Sequence, residues 1–136
     1  MSCSKLVDSS LAPFVDFHVH STFSPDAEDT VEAMCEAAVQ AGLNAICFTD
    51  HVDFEPRDAS HGYLRFDAYR KALEEAAAKW QGVLEVRMGI EADYQVWYTN
   101  ELREFLSGRN LDFVLGSVHW VESLSATGEV FDRYGL

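Results

Sequence analysis

Short apolar runs alternate along the chain with stretches in which apolar residues recur every three or four positions. This alternation predicts parallel strands joined by helices, because a buried strand is apolar on both faces whereas a surface helix is apolar on one. The sequence therefore indicates an α/β fold built from four βα units. The strands are expected at 14–19, 44–49, 84–91 and 112–119, and the helices at about 30–41, 67–80 and 102–106.

Two segments do not fit either pattern. A polar connection runs from residue 50 to about residue 63, and loops of this length in compact α/β units are often functional, so it is a candidate lid over a substrate. His61 lies within it and is expected to be a solvated loop residue. The tail over 121–136 mixes Ser, Thr and Gly with isolated apolar residues, which predicts a loop.

Composition narrows the class of protein. With 136 residues, 48% of them hydrophobic, the chain is expected to form one globular domain. A net charge of −13 argues against binding to nucleic acid or to an anionic membrane surface. Residues 1–13 lack a signal-peptide pattern, and no apolar stretch approaches the roughly 20 residues of a membrane span, so we expect a cytoplasmic protein without a membrane partner. Three widely spaced cysteines favour neither a disulfide framework nor a thiolate zinc site.

Residues of the types that bind metal ions lie where each predicted strand ends. His18 and His20 end the first strand, His51 follows the second, Glu91 ends the third and His119 ends the fourth. The C-terminal ends of parallel strands share one face of a βα barrel, and active sites are placed there. Only 5 of the 136 residues are histidine, so their presence at three of four strand ends argues against coincidence. The pattern therefore predicts a metal site on this face.

The first strand offers two imidazoles to one ion. His18 and His20 are two positions apart, so their side chains leave the same side of the strand about 6.5 to 7 Å apart at the backbone. Asp26 follows in a Ser-Pro-Asp turn, where an aspartate serves either as a turn or cap residue or as a ligand. The neighbouring histidines favour the ligand.

Glu91 ends an otherwise apolar strand, where an unpaired carboxylate would be costly to bury. A metal ion or a base would offset that cost, and a carboxylate that bridges two ions suits this position. Asp16 and Asp50 are expected to orient neighbouring imidazoles rather than to bind metal themselves.

Taken in order, five segments resemble the polymerase and histidinol phosphatase (PHP) family, and most closely its stand-alone histidinol-phosphatase branch. The segments cover nearly the whole chain and keep the expected strand and helix spacing. They are DFHVHS at 16–21, SPD at 24–26, TDH at 49–51, GIEADY at 89–94 and GSVH at 116–119.

The resemblance implies a distorted, parallel-stranded (β/α)₇ barrel, of which residues 1–136 would supply roughly the first four βα units, so the domain is expected to be truncated at its C-terminus. It also implies a cluster of three divalent ions, zinc, manganese or iron, with Glu91 bridging two of them. The family supplies a further histidine and a closing Asp-x-His pair that no residue here matches. The positions that match metal ligands are His18, His20, Asp26, His51, Glu91 and His119.

The activity implied is hydrolysis of a phosphate monoester, with L-histidinol phosphate of histidine biosynthesis as the leading substrate. A hydroxide made by the bound ions would attack phosphorus, and no other catalytic group is assigned. The alternatives are a phosphodiesterase or nuclease, and a metal-binding fragment without activity. The expected partner is a small phosphoester, and an uncovered barrel edge would favour self-association. Whether this chain alone is active stays open.

Overall fold

A computed structural model of the chain describes residues 13–124 and 130–135. Strands and helices alternate through most of this part, as the apolar pattern predicts. In chain order the elements are β1 (Val15–Val19), α1 (Val31–Ala41), β2 (Ala45–Phe48), β3 (His51–Val52), α2 (Phe66–Lys79), β4 (Glu85–Asp93), a 3₁₀ turn (Val96–Tyr98), α3 (Thr99–Leu106), β5 (Phe113–Ser117), β6 (Trp120–Leu124) and β7 (Val130–Gly135).

Strands β1 to β5 form one parallel sheet in which β4 is the longest member. The first half of β4 pairs with β2, starting at Ala45↔Glu85, and its second half pairs with β3, at His51↔Glu91. Strand β1 lies beyond β2, and β5 also pairs with β4. Because β2 and β3 pair with successive parts of β4, they follow one another as a single interrupted strand of the sheet. The sheet curls into half a barrel with helices against it, which confirms the predicted α/β class.

Local sequence signals set the ends of α1. The side chain of Thr30 accepts a hydrogen bond from the Ala33 N–H, which satisfies one of the free donors of the first turn. Gly42 ends the helix with φ +82°, a left-handed conformation that glycine adopts without steric cost. The helix buries Val31, Cys35 and Ala38 against the sheet. This amphipathic face anchors the first βα unit.

The second helix covers the middle of the sheet. It buries Tyr69, Leu73 and Ala76, and the Tyr69 hydroxyl donates to the Gly89 carbonyl in β4 at 2.9 Å. A Cβ atom on Gly89 would lie 2.8 Å from the Phe113 carbonyl oxygen, so glycine is required for β4 to approach β5 this closely. The strand that carries Glu91 is thereby fixed from both sides.

The prediction of a loop for the tail was wrong where the structure describes it. Strands β6 and β7 pair as an antiparallel hairpin in a separate two-stranded sheet. Ser123 and Gly135, which contributed to the expectation of a loop, lie within these strands, and residues 125–129 lie outside the described part of the chain. The prediction also missed β3, because two residues are too few to show a period.

Other expectations meet the structure only in part. Cys35 and Cys47 are free and buried, whereas Cys3 lies outside the described residues. Within the described part, no helix combines the length and the apolar character that crossing a bilayer requires. Phe14, Val15, Val114 and Val118 are exposed next to or within the outer strands β1 and β5. Self-association through these edges stays a prediction.

Candidate metal centre

The C-terminal ends of the parallel strands bring the predicted histidines together. His18 lies in β1 and His20 directly follows it, His51 begins β3, and His119 comes two residues after β5. The imidazole ring centroids of His18 and His20 are 5.1 Å apart, those of His20 and His51 are 4.3 Å apart, and those of His51 and His119 are 5.0 Å apart. The four rings therefore form one continuous row.

The Glu91 carboxylate lies at the centre of this row and is nearly buried, with 5% of the residue exposed. Its Oε2 lies 2.9 Å from His18 Nε2, 2.9 Å from His20 Nε2 and 3.7 Å from His51 Nδ1. Its Oε1 lies 3.1 Å from His119 Nε2. The two oxygens of one carboxylate thus face different imidazoles.

Asp26 supplies a second carboxylate from the loop after β1. Its Oδ2 lies 3.0 Å from His20 Nδ1 and 3.2 Å from His51 Nε2, so it joins two of the rings that also face Glu91. All six residues predicted as ligands therefore lie in one group, which we call the histidine cluster. It comprises His18, His20, Asp26, His51, Glu91 and His119.

A second group, the serine hub, fixes the loop that carries Asp26. The hub consists of Ser21, Ser24 and Asp50, which are fully buried. Asp50 accepts hydrogen bonds from the Ser21 N–H at 2.8 Å and from the hydroxyls of Ser21 and Ser24 at 2.9 and 2.8 Å. The His51 N–H donates to the Ser24 hydroxyl at 2.9 Å. The hub thereby ties the loop after β1 to the start of β3.

These contacts correct the role expected of two aspartates. Asp16 and Asp50 were predicted to orient imidazoles, but Asp16 accepts a hydrogen bond from the main-chain N–H of His18 at 3.1 Å, and Asp50 accepts from the serines. Within the described residues, neither carboxylate forms a hydrogen bond with an imidazole. Both act on histidine positions through the backbone instead.

Asp53 and Asp93 are buried residues next to His119 that the sequence analysis missed. The His119 N–H donates to Asp93 Oδ1 at 2.6 Å, and His119 Nδ1 lies 3.6 Å from Asp53 Oδ2 and 3.8 Å from Asp93 Oδ1. Asp93 follows Glu91 by two positions within β4, and Asp53 follows His51 by two positions directly after β3, a spacing that places side chains on the same side of extended backbone. That spacing, His51-x-Asp53 and Glu91-x-Asp93, is the signal that would have found them.

The pKa of Glu91 in the cluster and the pKa of Asp53 beside it shift in opposite directions. Burial opposes ionisation of Glu91, but the hydrogen bond with His18 and the charge of His51 outweigh burial and lower the pKa to about 2. Burial raises the pKa of Asp53 to about 6, helped by the neighbouring charge of Asp93. Burial acts to lower the pKa of His119, yet the charge of Asp93 and the hydrogen bond with Glu91 raise it overall.

The donor set fits divalent metal ions. Three overlapping groups of three ligand atoms, each within 4.8 Å of one another, divide the histidine cluster, and Asp53, Asp93 and His119 form a fourth. His51 Nδ1 is buried without a hydrogen-bond partner, which leaves a lone pair or a proton uncompensated. Imidazole nitrogen and carboxylate oxygen together suit zinc, manganese or iron.

An open cavity of about 280 Å³ lies beside the cluster. Asp26, His51 and His119 of the histidine cluster line it together with Asp58, Ala59 and Ser60. The last three residues belong to the segment expected to act as a lid, but that segment is not one loop. Its first residues form β3, and Asp53 pairs with His61, so the loop proper covers 54–60. A lid function stays a prediction, and His61 is exposed as expected.

Comparison with known proteins agrees with this arrangement. A family model described as the PHP domain matches residues 16–134. Histidinol-phosphatase of Lactococcus lactis is 29% identical over 118 residues, which make up 87% of this chain and 42% of that protein. The error-prone DNA polymerase of Nocardia farcinica is 36% identical over 75 residues, 54% of this chain and 5% of the polymerase.

The fold also matches a solved structure. A crystal structure of histidinol phosphate phosphatase from Lactococcus lactis, complexed with zinc, L-histidinol and phosphate, superposes with a TM-score of 0.73 at 30% identity. The match covers 78% of this chain and 40% of that one, so the chain spans less than half the length of these relatives. The resemblance inferred from the sequence is confirmed, because the family model covers most of the chain. The chain belongs to the PHP domain family.

Proposed function

We propose that this chain carries the metal-binding site of a phosphoric monoester hydrolase whose substrate is L-histidinol phosphate. One observation carries the proposal: three imidazoles from two strand ends lie within 3.1 Å of the single buried carboxylate of Glu91. Such convergence of nitrogen and oxygen ligands is costly unless an ion or a proton compensates it. The position at the C-terminal ends of parallel strands is the position of active sites in βα barrels.

Under this proposal the six residues of the histidine cluster hold the ions. Glu91, whose two oxygens face different imidazoles, would be a ligand shared between ions, and Asp26, whose Oδ2 contacts His20 and His51, would be a further ligand. We infer up to three ions, with zinc, manganese or iron as the metal. Divalent ions bound here would supply Lewis acidity to the phosphoryl oxygens and would acidify a bound water.

The residues around the cluster fix it in place. Asp93 holds the main chain of His119, and the serine hub holds the loop of Asp26. Ligands that are held before the substrate binds lose little freedom in the transition state, which favours catalysis. The task of this chain is therefore to position the ligands, and the cavity beside them gives a substrate access.

The named relatives support the choice of substrate. The Lactococcus lactis structure contains L-histidinol and phosphate together, and these are the two products that hydrolysis of L-histidinol phosphate would release. The same crystal contains zinc. These bound molecules and the matching donor set make hydrolysis of L-histidinol phosphate the reaction that the site supports best.

The test compares two histidine variants. In the complete protein that carries this chain, we expect phosphate release from L-histidinol phosphate in the presence of zinc or manganese, and we expect a chelator or His20→Ala to abolish it. His61→Ala is the matched control, because His61 is exposed and belongs to none of the metal-capable groups in the described residues. Thermal melts should show that His20→Ala loses activity without a comparable loss of stability. Equal activity of the two variants in excess metal would contradict the proposal.

A second candidate is hydrolysis of a phosphodiester, which the match to the DNA polymerase favours. The chain's net charge of −13 weighs against a long track for a nucleic acid. Parallel assays with 4-nitrophenyl phosphate and bis(4-nitrophenyl) phosphate separate the two, and faster hydrolysis of the diester would favour the second candidate.

A further inference from the structure

Asp58, Ala59 and Ser60 of the loop over 54–60 line the 280 Å³ cavity together with Asp26, His51 and His119 of the histidine cluster. We propose that Asp58 determines substrate specificity by binding a cationic group, an ammonium, on a phosphomonoester whose phosphate lies at the histidine cluster. This inference rests on the proposed function, and it deepens it by naming the second group that the site recognises.

Neutral donors hold the Asp58 carboxylate at both ends. Its Oδ1 accepts from the Ser60 N–H at 2.8 Å, and its Oδ2 accepts from the indole N–H of Trp120 at 2.9 Å. Each carboxylate oxygen can accept two hydrogen bonds, so these two donors leave further acceptor capacity. Because both donors are neutral, they orient the carboxylate without cancelling its charge.

The loop that carries Asp58 is itself anchored. The Asp58 N–H donates to the Glu55 carbonyl at 2.9 Å, and Arg57 donates to the buried Glu55 carboxylate at 2.6 Å. The Arg57 guanidinium lies over the Trp120 ring, 4.4 Å from its centroid. A charged group held in one position binds an ion of opposite charge without the cost of ordering it first.

Asp58 differs from the other acids around the site. Asp26 and Glu91 lie between imidazoles, and Asp53 and Asp93 are buried beside His119. Asp58 belongs to none of the metal-capable groups found among the described residues. Burial opposes its ionisation, but the hydrogen bonds from Ser60 and Trp120 outweigh burial and lower its pKa. Asp58 is therefore an ionised residue in the lining of the cavity, where its charge is available to a ligand.

The cavity limits the kind of molecule. About 280 Å³ is the size of a site for a small molecule rather than for a polymer. A phosphomonoester with a short chain between its phosphate and an ammonium group could contact both the histidine cluster and Asp58. An uncharged group in place of the ammonium would leave the Asp58 carboxylate facing it without compensation.

The test uses pairs of inert phosphonates that differ only in their charge. We would measure by calorimetry the binding of 2-aminoethylphosphonate and propylphosphonate, and of 3-aminopropylphosphonate and butylphosphonate, to the zinc-loaded chain. We expect one amino compound to bind roughly tenfold more tightly than its uncharged partner, as a charge-assisted hydrogen bond would give. In Asp58→Asn this preference should fall to about one, with the affinity for the uncharged partner unchanged.

Asp67→Asn is the matched control, because it removes the same charge from the exposed face of α2 and should keep the preference. Asp58→Ser is a second variant, used if Asp58→Asn does not fold, since a serine oxygen can still accept from the Ser60 N–H. Equal affinity of both members in both pairs would overturn the inference and leave the proposed function standing. Failure of all four phosphonates to bind would overturn both. A preference that survives Asp58→Asn and Asp58→Ser would assign the cation to another residue and also overturn the inference.

Discussion

The serine hub and the histidine cluster lie side by side, and each contains a buried carboxylate. Asp50 in the hub is fully buried and Glu91 in the cluster is 5% exposed, and the Glu91 N–H donates to the Asp50 carbonyl at 3.1 Å. The pKa of Asp50 is raised, because burial outweighs the hydrogen bonds from Ser21 and Ser24. The pKa of Glu91 is lowered to about 2 instead, because the histidine contacts outweigh burial.

The partners of each carboxylate explain the difference. Asp50 is bound by hydroxyl and main-chain donors that cannot titrate near neutral pH and that close the loop after β1. Glu91 is contacted by imidazole nitrogens, which bind protons or metal ions. Burial alone therefore does not mark a functional carboxylate, whereas the chemistry of its neighbours does. The hub should govern stability and the cluster should govern metal binding.

Glu91→Gln tests this division with the largest expected effect. The amide loses the negative charge that the proposed ions require, so zinc affinity or phosphatase activity should fall by roughly 10³-fold or more, about 4 kcal/mol. The free energy of unfolding of the metal-free chain should change much less. Calorimetric zinc titration and urea denaturation measure the two quantities, and retained zinc affinity would remove Glu91 from the site.

Asp50→Ala should show the reverse pattern. Removing this carboxylate leaves two buried serine hydroxyls and one main-chain N–H without their acceptor, which should lower the free energy of unfolding by roughly 3 kcal/mol. Urea denaturation followed by circular dichroism measures the loss. A change below about 1 kcal/mol would show that water or rearrangement replaces the hub.

Asp93→Asn tests a residue that lies beside the histidine cluster without belonging to it or to the serine hub. The amide oxygen can still accept from the His119 N–H, but the negative charge beside His119 Nδ1 is lost. Mutation of a residue that orients a metal ligand usually lowers metal affinity by about 10- to 100-fold, so we expect zinc affinity to fall by a factor in that range. Zinc titration of the variant beside the wild type checks this, and unchanged affinity would mean that Asp93 only supports the fold.

Thr30→Ala provides the smallest effect and a reference for both groups. Thr30 caps α1 away from the cluster, and its loss should cost about 1 kcal/mol of stability without changing zinc affinity. Thermal denaturation and zinc titration measure both. A loss of zinc affinity as large as that of Asp93→Asn would show that general destabilisation, rather than local chemistry, controls metal binding.

The fold could be predicted where local sequence decides it. Buried strands such as β2 are unbroken apolar runs in the sequence. Thr30 and Gly42 are typical helix-capping residues, and they lie at the two ends of α1. Strand β3 could not be predicted, because His51 and Val52 are strand residues only through their pairing with β4. The β6–β7 hairpin was missed because polar residues interrupt its alternation.

The residues of the site that lie at strand ends could be predicted from the sequence. Histidines at the ends of parallel strands had to meet, and the structure places His18, His20, His51 and His119 in one row. The partner of Asp50 could not be predicted, because the loop after β1 folds back onto it through tertiary contacts. The position of Asp58 in the cavity beside the cluster likewise depends on Trp120, which is 62 residues further along the chain.

The most direct test of the central claim, that the histidine cluster binds divalent ions, is a crystal structure of the zinc-loaded chain with anomalous diffraction measured at the zinc edge. If the cluster binds zinc, anomalous peaks should lie about 2.0 to 2.2 Å from Glu91 carboxylate oxygens and from imidazole nitrogens of the cluster. A crystal of Glu91→Gln should lack the anomalous peak next to the side chain of residue 91. Zinc bound only elsewhere on this acidic chain, with the imidazoles still paired to Glu91, would contradict the claim.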